Sequence, residues 1–480
     1  MRTAYRVRDV RAAEAALMAR LPEGALMRRA AAGLAAACAG LLRRVYGARV
    51  VLLVGSGANG GDALYAGARL ARRGARVSAV PLGGRVHGGG LDALLRAGGR
   101  LAGDPYAVLA RADLVLDGIT GIGGRGGLRP DAAPVVRAAR GSGAAVVAVD
   151  LPSGVDADTG AVEGEAVLAD VTVTFGAYKP GLLVDPAREH AGAVRLVDIG
   201  IGDLLPAVPE LEALQHADVA RLLPAPGAGS DKYRRGVVGV VAGSARYPGA
   251  AVLAVAGALR GGAGAVRYAG PAGGAVLARY PETLVHAGPP GEAGWVQAWV
   301  VGPGLADTPG AEDVLASDVP VLVDADGLRA LDPAAVRART APTVLTPHAG
   351  EAAALLGTDR GDVEARRLEA VRELAGRYGA TVLLKGSTTL VADPSPGTPV
   401  RVNATGTPWL ATAGSGDVLS GLTGSLLAAG LAARDAASAG AYLHGLAARR
   451  AARGAPLTAH EVAEALPGAW RDVAAEAPGG

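Results

Sequence analysis

Residues 411–421 read Ala411-Thr412-Ala413-Gly414-Ser415-Gly416-Asp417-Val418-Leu419-Ser420-Gly421. Small residues before an apolar-periodic run predict a tight turn leading into a helix, with Gly414, Ser415 and Gly416 leaving backbone N–H groups accessible. A turn of this kind binds an anion, because the unpaired N–H groups and the positive end of the helix dipole point the same way. Asp417 then stands beside a phosphate. A pure anion cradle has no use for a carboxylate, whereas phosphoryl transfer does: the carboxylate takes a proton from an attacking hydroxyl while the N–H groups hold the developing charge. The competing reading is a Gly-rich helix cap with an acid in its first turn.

Working outward, Gly302-Pro303-Gly304 follows the strand-like Trp299-Val300-Val301. Asp324-Ala325-Asp326-Gly327-Leu328 follows Val321-Leu322-Val323, and Thr346-Pro347-His348-Ala349-Gly350-Glu351 follows Thr343-Val344-Leu345. Val382 to Thr389 reads Val-Leu-Leu-Lys-Gly-Ser-Thr-Thr and lacks the glycines that precede a Walker A lysine, so Lys385 is read as binding nucleotide from a strand end. The 411–417 turn resembles the anion hole and catalytic Asp of the ribokinase-like superfamily. Together, in this order, the motifs make residues 216–480 similar to the ADP/ATP-dependent NAD(P)H-hydrate dehydratases.

That resemblance implies a ribokinase-like three-layer α/β domain that uses ADP, with Mg2+ bridging nucleotide oxygens, and the release of AMP and phosphate. It implies Asp417 as the catalytic base. Ala250, Gly304, His348 and Asp417 would bind the hydrated dinucleotide, with an ordinary cap as the other reading of His348. Lys385, Gly386, Ser387, Thr388, Thr389 and Gly416 would bind nucleotide. Ala349 stands where Pro is usual, and Asp231 precedes Lys232-Tyr233 where His is common, so the role of that segment stays open.

The first half carries a second set of strand-end motifs. Gly55-Ser56-Gly57-Ala58-Asn59-Gly60 satisfies G-x-G-x-x-G between a strand and a helix predicted over 61–73, yet no acid follows at the end of the next strand. A conventional Rossmann NAD site is therefore not expected. Asp62 comes next, and further strand ends bring Asp117, the glycine loop Gly121-Ile122-Gly123-Gly124-Arg125-Gly126-Gly127, Asp150-Leu151-Pro152-Ser153 and Thr174 to Gly181. In open α/β sheets, ligands bind outside the carboxyl ends of strands, where all of these fall. Residues 1–210 are similar to the NAD(P)H-hydrate epimerases, although Ala63 stands for a usual Gly and Thr120 for a common Phe. The resemblance implies a Rossmann-like domain in which Asn59, Asp117 and Ser153 hold K+. Ala58, Asn59, Gly60, Gly61, Asp62 and the Gly121–Gly127 loop would hold the dinucleotide, and Asp150 would act as acid/base on the hydrated nicotinamide.

Alternating short apolar runs and helical segments predict two three-layer α/β domains, each with a largely parallel sheet, joined by a linker near 203–216. At 480 residues and 50% hydrophobic content, two cores are affordable. A net charge of +3 comes from scattered arginines, without a basic run or aromatic interleaving, so neither nucleic acid nor an anionic membrane is expected as partner. The expected partners are NADHX, NADPHX and ADP, in a cytoplasmic homo-oligomer. The single Cys38 excludes an intrachain disulfide and reads as a core residue. Only Lys179, Lys232 and Lys385 depart from arginine, each in a Gly-containing motif, as if a compact ammonium were needed there. The combined expectation is repair of hydrated nicotinamide cofactors: one half interconverts the R and S hydrates and the other dehydrates the S form. The alternatives are a ribokinase-like kinase of a vitamin precursor fused to a nucleotide-binding domain, and a non-catalytic first domain.

Overall fold

The computed structural model describes residues 1–306, 309–329 and 331–476. The chain forms two compact units, Thr3–Glu210 and Leu211–Gly480 together with Met1–Arg2.

The N-terminal unit is built on a wholly parallel sheet. Its strands lie in the order Arg100–Leu101, Arg76–Pro81, Arg49–Val54, Leu114–Gly118, Ala145–Val149, Val171–Phe175 and Ala193–Val197. The central strands are runs of Val, Leu and Ala buried on both faces, the composition that a doubly covered parallel sheet requires. Chain order reverses on either side of Arg49–Val54, so a crevice opens where this strand and Leu114–Gly118 end. The helix after the first strand spans Ala58–Arg72, three residues earlier than its sequence predicts, which puts Asn59 to Asp62 in its first turns. Gly60 explains the shift: a Cβ there would lie 2.2 Å from the Gly55 carbonyl oxygen, so glycine serves close packing of the helix start. Cys38 is buried in the helix Ala25–Leu41, where desolvation pushes its thiol up to about 12, an inert core group.

In the C-terminal unit the order is Leu211–Ala213, Val400–Asn403, Thr389–Ala392, Thr381–Leu384, Thr343–Leu345, Val321–Val323, Ala298–Val301, Val237–Val241, Ala265–Ala269 and Leu284–His286. Pairing is parallel except on both sides of Thr389–Ala392. The segment expected as a linker is partly structured, because Leu211–Ala213 pairs with Val400–Asn403 and Glu212 accepts from Arg401 and Arg434. The turn at 411–417 opens the helix Ser415–Ala428, whose N-cap Gly414 has φ +86. That helix packs backbone to backbone on Pro248–Arg260: a Cβ on Gly257 would lie 2.1 Å from the Val418 carbonyl oxygen, and one on Gly421 would lie 1.9 Å from that of Ala254. Such contact fixes where the helix start points.

Gly421→Ala should therefore push the two helices apart and destabilise this unit by about 1–3 kcal/mol, the usual range for overpacking. Calorimetry should show one transition moving down while that of the N-terminal unit stays in place; an unshifted melt would contradict the close contact.

Candidate active sites

In the C-terminal unit the strand ends converge on Asp324. Its side chain is 2% exposed; Oδ1 accepts from Lys385 Nζ at 2.6 Å and Oδ2 from Ser420 Oγ at 2.7 Å. Glu351 Oε2 lies 3.7 Å from the same ammonium. The turn Gly414–Gly416 lies over this pair, since a Cβ on Gly416 would sit 3.6 Å from Lys385 Nζ and 3.7 Å from Asp324 Oδ2. Burial pulls the Lys385 ammonium down, but Asp324, Glu351 and Asp417 outweigh it and its pKa rises, so the charge is secure. Asp417, in the first helical turn, is pushed up to about 7 by burial and by Asp324, against the pull of Lys385. A carboxyl titrating near neutrality, next to an ammonium and a glycine turn at a helix start, can exchange a proton with a bound hydroxyl while the turn holds an anion.

The expected residues fall into four groups here. Lys385, Gly416 and Asp417 meet. Gly304 and Ala250 also touch, a Cβ on Gly304 lying 2.6 Å from that of Ala250, and Gly302 packs on the Asp324 carbonyl. Gly386 to Thr388 form the connection between Thr381–Leu384 and Thr389–Ala392, where Thr388 is buried and Thr389 begins the second strand. His348 caps the helix Ala349–Leu356: its Nδ1 accepts from Glu351 N–H at 3.1 Å while its own N–H donates to Glu351 Oε2 at 2.7 Å. The cap orients Glu351, which in turn faces Lys385.

Three supporting residues escape sequence reasoning. Buried Arg367 donates from Nη2 to the carbonyls of Lys385 and Thr388 at 3.1 and 3.0 Å, holding the 385–388 turn. Ser420 ties Asp324 to the helix, donating also to the Gly416 carbonyl. His444 donates from Nε2 to the Ser415 carbonyl at 2.9 Å; burial pulls it down to about 4, so it is neutral. A hydrophobic pattern gives no sign of these partners; only the motif Asp324-Ala325-Asp326 is visible beforehand.

In the N-terminal unit, buried Lys179 donates to Asp150 Oδ1 at 2.5 Å, Thr174 Oγ1 at 3.0 Å and the Phe175 carbonyl at 3.0 Å, using all three ammonium protons. Asp150 has φ +66, a left-handed conformation that Asp tolerates better than most residues and that turns its side chain away from the strand path. Asp62 Oδ1 is buried without a hydrogen-bond partner among the described residues, and burial, Asp150 and Glu14 hold its carboxyl well above the usual range. Nearby, Ser153 Oγ and N–H donate to the two Asp117 oxygens at 2.6 and 2.8 Å. Asn59 Nδ2 and Ser153 Oγ both reach the Thr120 carbonyl, at 3.0 and 3.2 Å. Asn59 and Ser153 thus meet at one carbonyl, with Asp117 held beside them by Ser153. The Gly121–Gly127 loop closes over Asn59, since a Cβ on Gly121 would lie 3.0 Å from Asn59 Oδ1.

Residues 238–467 match the family described as NAD(P)H-hydrate dehydratase, and residues 23–181 match the one described as YjeF-related protein N-terminus. The bifunctional NAD(P)H-hydrate repair enzyme Nnr of Mycobacterium leprae is 52% identical over 462 residues, covering 93% of this chain and 94% of that protein. The chain belongs to the bifunctional NAD(P)H-hydrate repair enzyme family. A member from Corynebacterium glutamicum is 38% identical, covering 88% of this chain and 89% of its own length. The ADP/ATP-dependent NAD(P)H-hydrate dehydratase of Bacillus subtilis, solved after co-crystallisation with ATP and Mg2+, is 29% identical with a TM-score of 0.49, over 54% of this chain and 97% of that one. No helix among the described residues is long and apolar enough to cross a membrane.

The raised Asp417 pKa has a consequence for stability. The folded state holds this proton more tightly than the unfolded chain between the ordinary Asp value and about 7, so stability falls across that window as pH rises, and the cost remains above it. Nucleotide-free Asp417→Asn should melt above wild type at pH 8 and converge with it near pH 4. Melts across that range check the sign; equal melting at pH 8 would show that Asp417 ionises freely.

Proposed function

We propose that this chain repairs hydrated NADH and NADPH, its N-terminal unit epimerising the R and S hydrates and its C-terminal unit dehydrating the S form at the expense of ADP. The observation that carries the dehydratase half is the Asp417 carboxyl in the first turn of a Gly414-capped helix, with Lys385 beside Gly416. The β-phosphoryl group passes from ADP to the hydrate's hydroxyl oxygen. Asp417 accepts the hydroxyl proton, Gly414 to Gly416 stabilise the transferring charge and Lys385 neutralises nucleotide oxygens; AMP leaves. Phosphate is then a good leaving group, and its elimination with a ring proton restores the double bond. Ala250, Gly304 and His348 line the hydrate side, while Gly386 to Thr389 serve the nucleotide.

No cluster of three metal-ligating His, Cys, Asp or Glu side chains occurs among the described residues, so a Mg2+ ion would be carried mainly by nucleotide oxygens. When bound it supplies charge neutralisation on those oxygens. In the N-terminal unit, Asn59, Asp117 and Ser153 offer neutral oxygens and a single carboxylate, a donor set suited to K+. Fixed by Lys179, Asp150 presents its second oxygen as acid/base to the hydrated nicotinamide, and the Ala58–Asp62 and Gly121–Gly127 segments hold the dinucleotide. The free, buried Cys38 suits a reducing cytoplasm, where a homo-oligomer is the expected form.

Chemically prepared hydrate with ADP should regain reduced-nicotinamide absorbance; a stable phosphorylated product would instead mark a kinase. Asp417→Asn should keep nucleotide affinity and lose turnover by about a hundred- to ten-thousand-fold, the usual worth of general-base catalysis. Single-turnover rates with titrated ADP check both statements, and near-normal turnover removes Asp417 from the chemistry.

Asp150→Ala should leave the S hydrate consumed at the normal rate and the R hydrate only as fast as it epimerises spontaneously, giving biphasic curves on a mixed hydrate. Added separate epimerase should restore a single phase. A variant whose curve stays single-phase and complete without it would make Asp150 structural.

A further inference from the structure

The helix Val7–Met18 presents charged side chains to the N-terminal site that the chemistry above does not use. Its position is fixed: the Val7 N–H at its start donates to Asp158 Oδ1 at 2.7 Å, and Val10 and Ala13 are buried in the core. Arg11 and Glu14, three residues apart, share a face. Burial raises the Glu14 carboxyl, Lys179 and Arg11 pull it down and Asp150 pushes it up, so its charge neighbours are those of the Lys179–Asp150 pair and Arg11. Arg11 points to the neighbouring loop, where its Nη2 lies 3.1 Å from the place a Cβ would take on Gly123. Its guanidinium has no hydrogen bond and no carboxylate within 4 Å among the described residues.

An unpaired guanidinium held against a loop of five glycines is a second set of N–H donors facing the backbone's own. Two such sets converge on an anion. At the opposite end of the site the Lys179 ammonium is taken up by Asp150, so its charge is not free for a substrate phosphate, and Arg11 brings one that is. We propose that Arg11 binds substrate, its guanidinium pairing with the bridging diphosphate of the dinucleotide on the Gly121–Gly127 loop. The diphosphate is favoured over a ribose 2′-phosphate because the loop's closely spaced backbone N–H groups and the planar guanidinium fork suit two adjacent phosphates.

This assignment rests on the epimerase reading of the unit, and one experiment separates the two. With ADP, the full-length chain should consume the S hydrate in a fast phase and the R hydrate in a slower one. Arg11→Gln should raise KM for the slow phase about tenfold, the low end for a charged hydrogen bond at an exposed position, with kcat little changed. The rise should be equal for NADHX and NADPHX, with the fast phase intact, and Arg11→Lys should recover part of it by keeping the charge without the fork. An unchanged KM overturns the proposal, as does a fall in kcat alone. A loss confined to NADPHX overturns it in favour of a 2′-phosphate contact. Wild-type chain that consumes R hydrate no faster than it epimerises spontaneously sinks the epimerase reading itself, and Arg11 with it.

Discussion

An ammonium paired with a buried strand-end aspartate is the interaction on which both sites depend. Lys179 holds Asp150 in one unit and Lys385 holds Asp324 in the other, at 2.5 and 2.6 Å. Burying either partner alone would leave an uncompensated charge, and breaking such a pair typically costs about 3–5 kcal/mol. The pairs therefore act as fixed points for neighbours that do chemistry. Asp150 gives one oxygen to Lys179 and keeps the other, while Asp324 is fully engaged and its negative charge raises Asp417 instead. The same kind of pair thus holds Asp150 directly in one unit and shifts Asp417 from the side in the other.

Tuning works only if the glycine turn is held as firmly as the pair. Ser420 is the mechanical link, with its hydroxyl shared between Asp324 and the Gly416 carbonyl within the helix that carries Asp417. Below it, Gly421 and Gly257 bring two helix backbones into contact, and Gly424 lays the same helix on Val300 of the sheet. Neutral His444 ties the first turn from behind. A loose helix would let water reach Asp417 and relax its pKa toward that of an ordinary carboxylate, because desolvation is the largest cause of the shift. Ser420, Gly421 and Gly424 along this helix thus keep Asp417 buried.

Much of this was legible in the sequence, for a reason that also limits it. Strand-end Asp and Gly residues can be read because a parallel sheet leaves its ligands only one edge, and Asp117, Asp150, Asp324 and the glycine turns all lie there. Boundaries were less clear. Gly60 looks like a loop residue by propensity, yet the carbonyl of Gly55 lies so near that only glycine fits inside that helix start. The strand Leu211–Ala213 hides in an apparent linker because three residues show no period, and its place is set by parallel pairing and by ion pairs to Arg401 and Arg434. Arg367 and His444 were out of reach: their partners are backbone carbonyls 18 and 29 residues away, and a carbonyl has no sequence signature.

The scarcity of lysine shows how far composition can carry such an argument. An ammonium sends three donors from one point, and around Lys179 three acceptors stand as a tripod, a carboxylate, a hydroxyl and a carbonyl. A guanidinium is planar with five donors, so in this buried space two or more would be left without partners at a desolvation cost of about 1–3 kcal/mol each. Lys385 meets a similar demand, since its compact nitrogen serves Asp324 at 2.6 Å and Glu351 at 3.7 Å from one point. Lys232 does not meet it: it lies 5.1 Å from the centre of the exposed Tyr233 ring, a place where arginine would serve as well. The preference for lysine is therefore explained by acceptor geometry at two of the three positions, and at these two it coincides with the residues that hold the acids in place.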